Sequence, residues 1–175
     1  MNKKILISTG GSGGHVIPAT IIYKHLENNF DVSMTSDVRG FKFLNKNEYN
    51  LKIFNVKPIS KNLLIMPFDF FLMIISIFKS ISFLRKNKID TLISTGGYMS
   101  LPLCLGAKIL NIKLLLFEPN MVLGRSNKLF INYCQKIFCY SDNIKKFPIK
   151  FKNKIKVIPA LLRKIFIIRE ITINP

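Results

Sequence analysis

Acidic residues are scarce in this sequence: nine aspartates and glutamates stand against 27 lysines and arginines, which leaves a formal net charge of +18. Such an imbalance favours contact with an anionic membrane surface or with the phosphates of a substrate. Part of it is compositional, because lysine, asparagine, isoleucine and phenylalanine are all heavily used, as an AT-rich coding sequence produces. Nucleic-acid binding is the rival interpretation, but the sequence contains no basic run interleaved with aromatics, no helix-turn-helix pattern and no zinc pattern. We therefore expect no nucleic-acid partner.

Cysteine is equally scarce, and tryptophan is missing. Cys104, Cys134 and Cys139 have no metal-ligand spacing, so we expect reduced, mostly buried thiols and neither a metal nor a cofactor. The apolar run after Lys3 and Lys4 ends within a few residues. It is too short for a signal peptide, which predicts a cytoplasmic location. The 175 residues, 49% of them hydrophobic, suffice for one domain with a full core.

Glycine is concentrated between Thr9 and His15, where four glycines surround a single serine. The preceding run Lys4–Ser8 is short and apolar, which predicts a buried parallel strand, and apolar residues after the glycines recur at helical spacing. A strand, a glycine turn and a helix direct free backbone N–H groups and the positive end of the helix dipole toward an anion. The spacing fits neither the dinucleotide fingerprint nor the Walker loop. A tight turn that binds nothing is the alternative.

His15 lies at the mouth of this turn, where a neutral imidazole could accept a proton during catalysis. The structural alternative is a histidine that only forms a hydrogen bond at the start of the helix. The other histidine, His25, falls inside the predicted helix, and we expect it to be structural or exposed.

Along the rest of the chain, strand-like and helical segments alternate, which predicts an α/β fold with a parallel sheet of about seven strands and helices on both faces. Ligands bind at the carboxyl ends of such strands, so we expect the three loops that end the first, fourth and fifth strands to share one site. The predicted strands are 4–8, 31–35, 51–56, 89–94, 112–117, 136–140 and 155–158. The predicted helices between them include 41–47, 101–110 and 122–133.

The stretch 63–84 is unusually apolar, and its length could span a bilayer. Pro67 and Asp69 interrupt the apolar run, which argues against a spanning helix. Beyond Asp69 we expect one polar helical face and a very wide apolar surface bordered by basic residues. This pattern favours an interfacial helix on anionic lipid, and an ordinary core helix is the alternative. The residues predicted on the polar face are Asp69, Ser76, Lys79, Ser80, Ser82 and Lys86.

The segment Gly10–Ala19 resembles the N-terminal signature of family 28 glycosyltransferases, in particular their MurG-like members. Gly96–Tyr98 and Glu118–Asn120 agree with the same family in the same order, so the resemblance extends to about residue 160. It implies a Rossmann-like domain, the N-terminal half of a GT-B fold. It also implies inverting, metal-independent transfer of N-acetylglucosamine from UDP-N-acetylglucosamine to lipid I, an undecaprenyl-linked acceptor, which yields lipid II for peptidoglycan synthesis.

The resemblance also implies roles for residues in the first glycine loop. His15 would act as the acceptor base or position the reactants. Ser12, Gly13 and Gly14 match the family positions that line the cleft for the donor or acceptor phosphates. Serine at position 12 replaces a frequent threonine and keeps the hydroxyl group.

Further substrate-binding residues follow from the two later segments. Gly96, Gly97 and Tyr98 match a second glycine loop that faces the acceptor, although a plain turn with a packed tyrosine is the alternative. Asn120 matches an asparagine that hydrogen-bonds the donor sugar, and Glu118 is kept beside it.

The chain departs from the family pattern at two of these places. Phe117 and Pro119 replace a histidine and a glutamine around Glu118, so one polar contact is in doubt. Arg163 aligns with an arginine that contacts the donor, but the glycine and asparagine that precede it in the family are replaced here.

MurG-like enzymes have two such domains, and the second holds most of the nucleotide. We expect residues 1–160 to form the N-terminal domain and residues 161–175 to be a linker or the start of a donor-binding domain. A truncated copy, an expression fragment and a split enzyme with a separate donor-domain chain all remain open. The alternative function is a non-catalytic membrane-docking acceptor subunit of a split glycosyltransferase. Both functions predict a peripheral protein on the cytoplasmic face of the inner membrane, held through 63–88.

Overall fold

The computed structural model describes residues 3–56, 58–60 and 62–159. In these residues seven strands form one parallel sheet in the order β3-β2-β1-β4-β5-β6-β7. Strands β1 and β4 are adjacent at its centre, with β2 and β3 on one side and β5, β6 and β7 on the other. The seven strands predicted from the sequence are confirmed. Their bounds are β1 Lys4–Ser8, β2 Asp31–Ser36, β3 Leu51–Ile53, β4 Thr91–Ser94, β5 Lys113–Glu118, β6 Lys136–Cys139 and β7 Ile155–Val157.

Five α-helices connect or follow these strands in the described part of the chain. They are α1 Gly13–Leu26, α2 Val38–Phe41, α3 Met66–Lys86, α4 Leu101–Ile109 and α5 Arg125–Phe130. Short 3-10 helices lie at Lys46–Glu48, Tyr98–Ser100 and Ile149–Lys154.

The side chains of the central strands point alternately to the two faces of the sheet, which divides the hydrophobic core into two parts. Ile5 and Ile7 of β1 pack with α1 on one face. Leu6 of β1 joins the other core, which contains Leu84 of α3 and Leu103 of α4. Because successive side chains of a strand point to opposite faces, helices on both sides are needed to bury this wholly apolar strand.

Two predicted helices have different bounds in the structure. The expectation of a helix over 41–47 is wrong: α2 begins at Val38, since the side chain of Asp37 accepts a hydrogen bond from Gly40 N–H and caps its first turn. The helix predicted over 122–133 is shorter and consists of Arg125–Phe130. The chain before it forms an isolated bridge between Val122 and Lys145 instead.

The polar face expected along 69–86 is also partly wrong. Asp69 and Ser80 are fully buried, whereas Ser82 and Lys86 are exposed. Asp69 lies against the chain before α3, because its Oδ2 accepts a hydrogen bond from Ser60 N–H at 2.8 Å. A buried carboxylate at this position therefore holds the connection between β3 and α3.

The ammonium group of Lys154, at the end of the 3-10 helix before β7, contacts the turn that follows α5. It donates hydrogen bonds to three backbone carbonyl oxygens, of Ile131 at 3.0 Å, Asn132 at 2.8 Å and Cys134 at 2.7 Å. These carbonyl groups lie in the turn just beyond Phe130, the last residue of α5, where the ammonium group satisfies backbone acceptors that no helix or strand pairs.

We expect Lys154→Met to lower the free energy of unfolding by about 1–3 kcal/mol, because three carbonyl groups lose a charged donor. Urea denaturation of the wild-type and variant chains would measure the change. Lys152→Met is the matched control, since Lys152 is exposed and two positions away. Equal losses in the two variants would contradict the proposed role of the Lys154 contacts.

Candidate functional site

The first glycine loop is held by a buried carboxylate at the end of β2. Asp37 is 5% exposed, and its Oδ1 accepts hydrogen bonds from the N–H groups of Gly11 and Gly40, both at 2.8 Å. Oδ2 accepts a hydrogen bond from Nε of Arg39 at 2.9 Å. A Cβ atom at Gly10 would lie 2.8 Å from Asp37 Oδ1, so the loop backbone can approach this carboxylate only without a side chain.

Burial alone would raise the pKa of Asp37. The two backbone N–H groups and the Arg39 guanidinium outweigh it and hold the pKa below its usual value. The Asp37 anchor was not among the residues singled out from the sequence. Its only sequence signal is an aspartate two residues after the predicted strand 31–35, and that position does not reveal that the carboxylate reaches back to the loop after β1.

His15 is fixed by the neighbouring strand end rather than by its own loop. Its Nδ1 lies 2.6 Å from the carbonyl oxygen of Thr95, which follows β4. A carbonyl oxygen can only accept, so Nδ1 carries the proton and Nε2 of the neutral ring is left as the acceptor. This is the tautomer that a general base needs, because Nε2 is the nitrogen left to take a proton.

The second glycine loop provides the space for this imidazole ring. Gly96 and Gly97 have φ angles of +89° and +85°, which favour glycine. A Cβ atom at Gly96 would lie 3.3 Å from Cε1 of His15. The ring therefore lies directly against the glycine backbone, and the two glycine loops form one unit.

Tyr98 lies beside the same loop and is half-buried. Its hydroxyl oxygen accepts a hydrogen bond from Ile59 N–H at 3.2 Å. Burial raises the pKa of Tyr98, the Ile59 hydrogen bond opposes this, and the nearby Asp69 carboxylate adds to the increase. Tyr98 is thus held as a neutral phenol between the cleft and the segment that precedes α3.

Glu118 organises the opposite wall of the site from the end of β5. The residue is 1% exposed. Oε1 accepts hydrogen bonds from the backbone and side-chain N–H groups of Asn120, at 3.2 and 2.9 Å. Oε2 accepts from Gly124 N–H at 2.7 Å and from Nδ2 of Asn127 at 3.0 Å. These four bonds occupy both oxygens, so Glu118 positions its neighbours.

These groups surround an open cleft of about 520 Å³ at the carboxyl edge of the sheet. His15, Gly96, Gly97, Tyr98, Glu118 and Asn120 all line it, so the structure brings six of the ten predicted site residues together. The other lining residues are Leu101, Gly124, Arg125, Ser126, Asn127 and Leu129.

The remaining predicted site residues lie elsewhere or outside the described residues. Ser12 precedes α1 and is exposed, and Gly13 and Gly14 form the first turn of α1. Neither glycine lines the cleft: a Cβ at Gly13 would lie near Phe43 and Ile17, and one at Gly14 would lie near Ser12 Oγ. Arg163, like the predicted segment 161–175, lies outside the described residues, and its role stays a prediction.

The sequence profile of the glycosyltransferase family 28 N-terminal domain matches residues 5–139. The chain belongs to this family. The resemblance inferred from the three loops is therefore confirmed, and all residues lining the cleft lie within the matched region.

Curated relatives carry the name UDP-N-acetylglucosamine--N-acetylmuramyl-(pentapeptide) pyrophosphoryl-undecaprenol N-acetylglucosamine transferase. The chain is 89% identical over 166 residues to the one from Pelagibacter ubique (strain HTCC1062), which covers 95% of this chain and 47% of that protein. It is 32% identical over 164 residues to the one from Rickettsia prowazekii (strain Madrid E), covering 93% and 42%. The chain thus spans about half the length of the curated relatives it matches.

Solved structures show the same fold. Acinetobacter baumannii MurG superposes with a TM-score of 0.74 at 24% identity, covering 93% of this chain and 47% of that one. The UDP-GlcNAc 2-epimerase of Neisseria meningitidis bound to UDP-GlcNAc gives a TM-score of 0.63 at 14% identity, covering 98% and 50%. The predicted Rossmann-like α/β architecture is confirmed, and its relatives are chains about twice as long.

Gly96→Ala should displace the His15 ring, because the new Cβ would crowd Cε1 and the positive φ would be strained. We expect the hydrogen bond to Thr95 to weaken and the preference for the Nδ1-protonated tautomer to decrease. Nitrogen-15 NMR of the His15 ring reports the tautomer directly.

Gly14→Ala is the control for this experiment, since its Cβ would meet only Ser12 Oγ at an ordinary 3.7 Å. The geometry derived for His15 is wrong if the Gly96→Ala ring nitrogens keep their wild-type shifts.

Proposed function

We propose that this chain is the acceptor-side half of an inverting N-acetylglucosaminyltransferase that uses UDP-N-acetylglucosamine and a lipid-linked muramoyl-pentapeptide acceptor. The observation that carries the proposal is the hydrogen bond from His15 Nδ1 to the Thr95 carbonyl, inside a cleft at the carboxyl edge of the sheet. The names of the curated relatives supply the substrates.

In the proposed reaction His15 removes a proton from the acceptor. Its Nε2 takes the proton from the attacking hydroxyl group while the oxygen forms a bond to the anomeric carbon of N-acetylglucosamine. The bond from that carbon to the diphosphate breaks, and the configuration at the carbon inverts. The Thr95 carbonyl holds the ring during this step and stabilises the imidazolium that forms.

Other residues have binding roles in this proposal. Asn120 is exposed at the edge of the cleft, and its Nδ2 is held by Glu118, which leaves the amide oxygen for a sugar hydroxyl. The N–H groups of Gly13 and Gly14 belong to the first turn of a 14-residue helix and have no acceptor within it. They favour the phosphate groups of a substrate that extends from the cleft across this loop.

The exposed face of α3 supports docking on a membrane. Met66–Lys86 is, among the described residues, the one helix long and apolar enough to cross a bilayer, judged by length and composition only. Leu64 is 91% exposed and Phe78 is 68% exposed. The set that we call the α3 apolar surface comprises three residues just before the helix, Leu63, Leu64 and Ile65, and six within it, Met66, Phe68, Phe70, Phe71, Ile74 and Phe78.

Burial on the inner side of α3 favours a peripheral mode over a spanning one. Asp69, Met73, Ser80 and Leu84 are buried against the protein, so only one side of the helix is available to lipid. The exposed Arg85 and Lys86 end the helix and favour anionic headgroups. We propose that the chain lies on the cytoplasmic face of the inner membrane through 63–88.

The same surface also favours a second candidate, a membrane-docking subunit that recruits a separate catalytic chain. The α3 apolar surface shares no residue with the cleft, so a chain could bind a membrane through it without using His15. The two candidates differ in what the loss of His15 does.

His15→Ala should lower the rate of sugar transfer about 10²–10⁴-fold, because the acceptor hydroxyl loses its general base. The assay mixes this chain with the C-terminal half of the Pelagibacter relative and follows labelled N-acetylglucosamine into the lipid-linked acceptor. His25→Ala is the control, since His25 does not line the cleft and its Nδ1 lies 2.9 Å from the Ile21 carbonyl of its own helix. Unchanged transfer in His15→Ala would favour the docking-subunit function.

Replacing Phe71 and Phe78 together by serine should reduce binding to anionic vesicles at least tenfold, since both rings are mostly exposed on the α3 apolar surface. Cosedimentation with phosphatidylglycerol vesicles measures the change. Ile109→Ser and Ile149→Ser together form the control, because these side chains are 60% and 83% exposed outside α3. Similar losses in both double variants would mean that lipid contact is not specific to α3.

A further inference from the structure

The peptide unit between Thr95 and Gly96 makes a polar contact at each of its ends. Its carbonyl oxygen lies 2.6 Å from His15 Nδ1, and its N–H group donates a hydrogen bond to Ser94 Oγ at 3.2 Å. The C=O and N–H groups of a planar trans peptide point in opposite directions. The hydroxyl group of Ser94 therefore determines the direction in which the carbonyl group points.

A second orientation of this peptide unit is open to the backbone. Gly96 has a φ angle of +89°, and glycine adopts φ angles of either sign at little cost. If the unit turned over, its carbonyl group would point away from His15 and its N–H group toward it. The distance suits this contact, because a Cβ atom at Gly96 would lie only 3.5 Å from His15 Nδ1.

The two orientations select opposite tautomers of the His15 ring. A carbonyl oxygen can only accept a hydrogen bond, so it requires the proton on Nδ1 and leaves Nε2 as an acceptor. A backbone N–H group can only donate, so Nδ1 would have to accept and the proton of the neutral ring would lie on Nε2. In the second orientation Nε2 therefore cannot take a proton from a substrate.

Thr95 itself is held from the side of β1. Its N–H group donates to the Ser8 carbonyl at 3.0 Å, and its hydroxyl group donates to Thr9 Oγ1 at 2.9 Å. Ser94, Thr95 and Thr9 are all fully buried, so water does not compete for these hydrogen bonds. With Thr95 fixed, the freedom that remains is rotation of the peptide unit that follows it, and the Ser94 hydroxyl group opposes that rotation.

We propose that Ser94 is a positioning residue whose hydroxyl group holds the Thr95–Gly96 peptide unit in the orientation that places the proton of His15 on Nδ1. The consequence for catalysis rests on the proposed function, because the general base is His15 Nε2. The inference goes further than that function, since Ser94 does not line the cleft and yet determines whether the ring can accept a proton.

Ser94→Ala tests the proposal through the tautomer. The variant removes the acceptor of the Gly96 N–H group, which then gains a partner only if the peptide unit turns over toward His15. We expect the Nδ1-protonated share of the neutral ring to fall at least twofold. Nitrogen-15 NMR of chains that also carry His25→Ala measures this share, because His15 is then the one histidine left in the sequence.

Thr35→Val is the matched control. Thr35 is fully buried near the end of the neighbouring strand β2, and its hydroxyl oxygen has no hydrogen-bond partner among the described residues. We expect this variant to keep the wild-type tautomer. Wild-type ring shifts in Ser94→Ala, or the same change in both variants, would overturn the proposal.

Thr95→Val replaces Ser94→Ala if the latter does not fold. It releases Thr95 from Thr9 and so loosens the same peptide unit from its other side. The Nδ1-protonated share should fall here as well, and an unchanged share would refute the proposal.

The rate of sugar transfer separates the role of Ser94 from the role of His15. Because only the Nδ1-protonated ring is competent, kcat of Ser94→Ala should fall by the same factor as the share of that tautomer, with the KM for UDP-N-acetylglucosamine unchanged. The assay is the one that mixes this chain with the C-terminal half of the Pelagibacter relative. A changed tautomer with an unchanged kcat would support the positioning by Ser94 and contradict the proposed base role of His15.

Discussion

Strand β1 forms hydrogen bonds with β2 on one side and with β4 on the other, although β4 follows it by more than 80 residues. This pairing places the loops after the two strands next to each other. Thr95 N–H donates to the Ser8 carbonyl at 3.0 Å, and the hydroxyl groups of Thr95 and Thr9 lie 2.9 Å apart. The contact between His15 and Thr95 exists because of this register, and the cleft is built around it.

Two buried carboxylates fix the positions of the loops around the cleft. Asp37 anchors the first glycine loop, and Glu118 anchors the wall opposite. Both oxygens of each carboxylate accept hydrogen bonds from N–H donors, which offsets the cost of burying the charge and fixes the backbone around it. Nε2 of His15 and the amide oxygen of Asn120 are left as acceptors at the cleft, because the other nitrogen of each side chain is already held by the protein.

The surfaces proposed for membrane contact and for sugar transfer are separate, and Tyr98 connects the cleft to the segment that precedes α3. The α3 apolar surface is exposed, whereas the cleft lies at the carboxyl edge of the sheet. Tyr98 lines the cleft and accepts a hydrogen bond from Ile59, and Ser60 next to it donates to Asp69 of α3. This arrangement suits the proposed lipid-linked acceptor, whose reacting group would reach the cleft while its lipid remains in the bilayer.

The sequence by itself determined the seven strands, the parallel sheet and the three loops, because buried parallel strands are continuous apolar runs and glycines mark their ends. It also determined that His15 lies at one of those ends. Only the tertiary structure decided the tautomer of His15 and the Asp37 and Glu118 anchors, since each depends on atoms distant in sequence or on side-chain direction. The polar residues of α3 show the same limit. Periodicity located them along the helix, but it did not reveal that Asp69 points into the core, where its carboxylate accepts a hydrogen bond from Ser60 N–H.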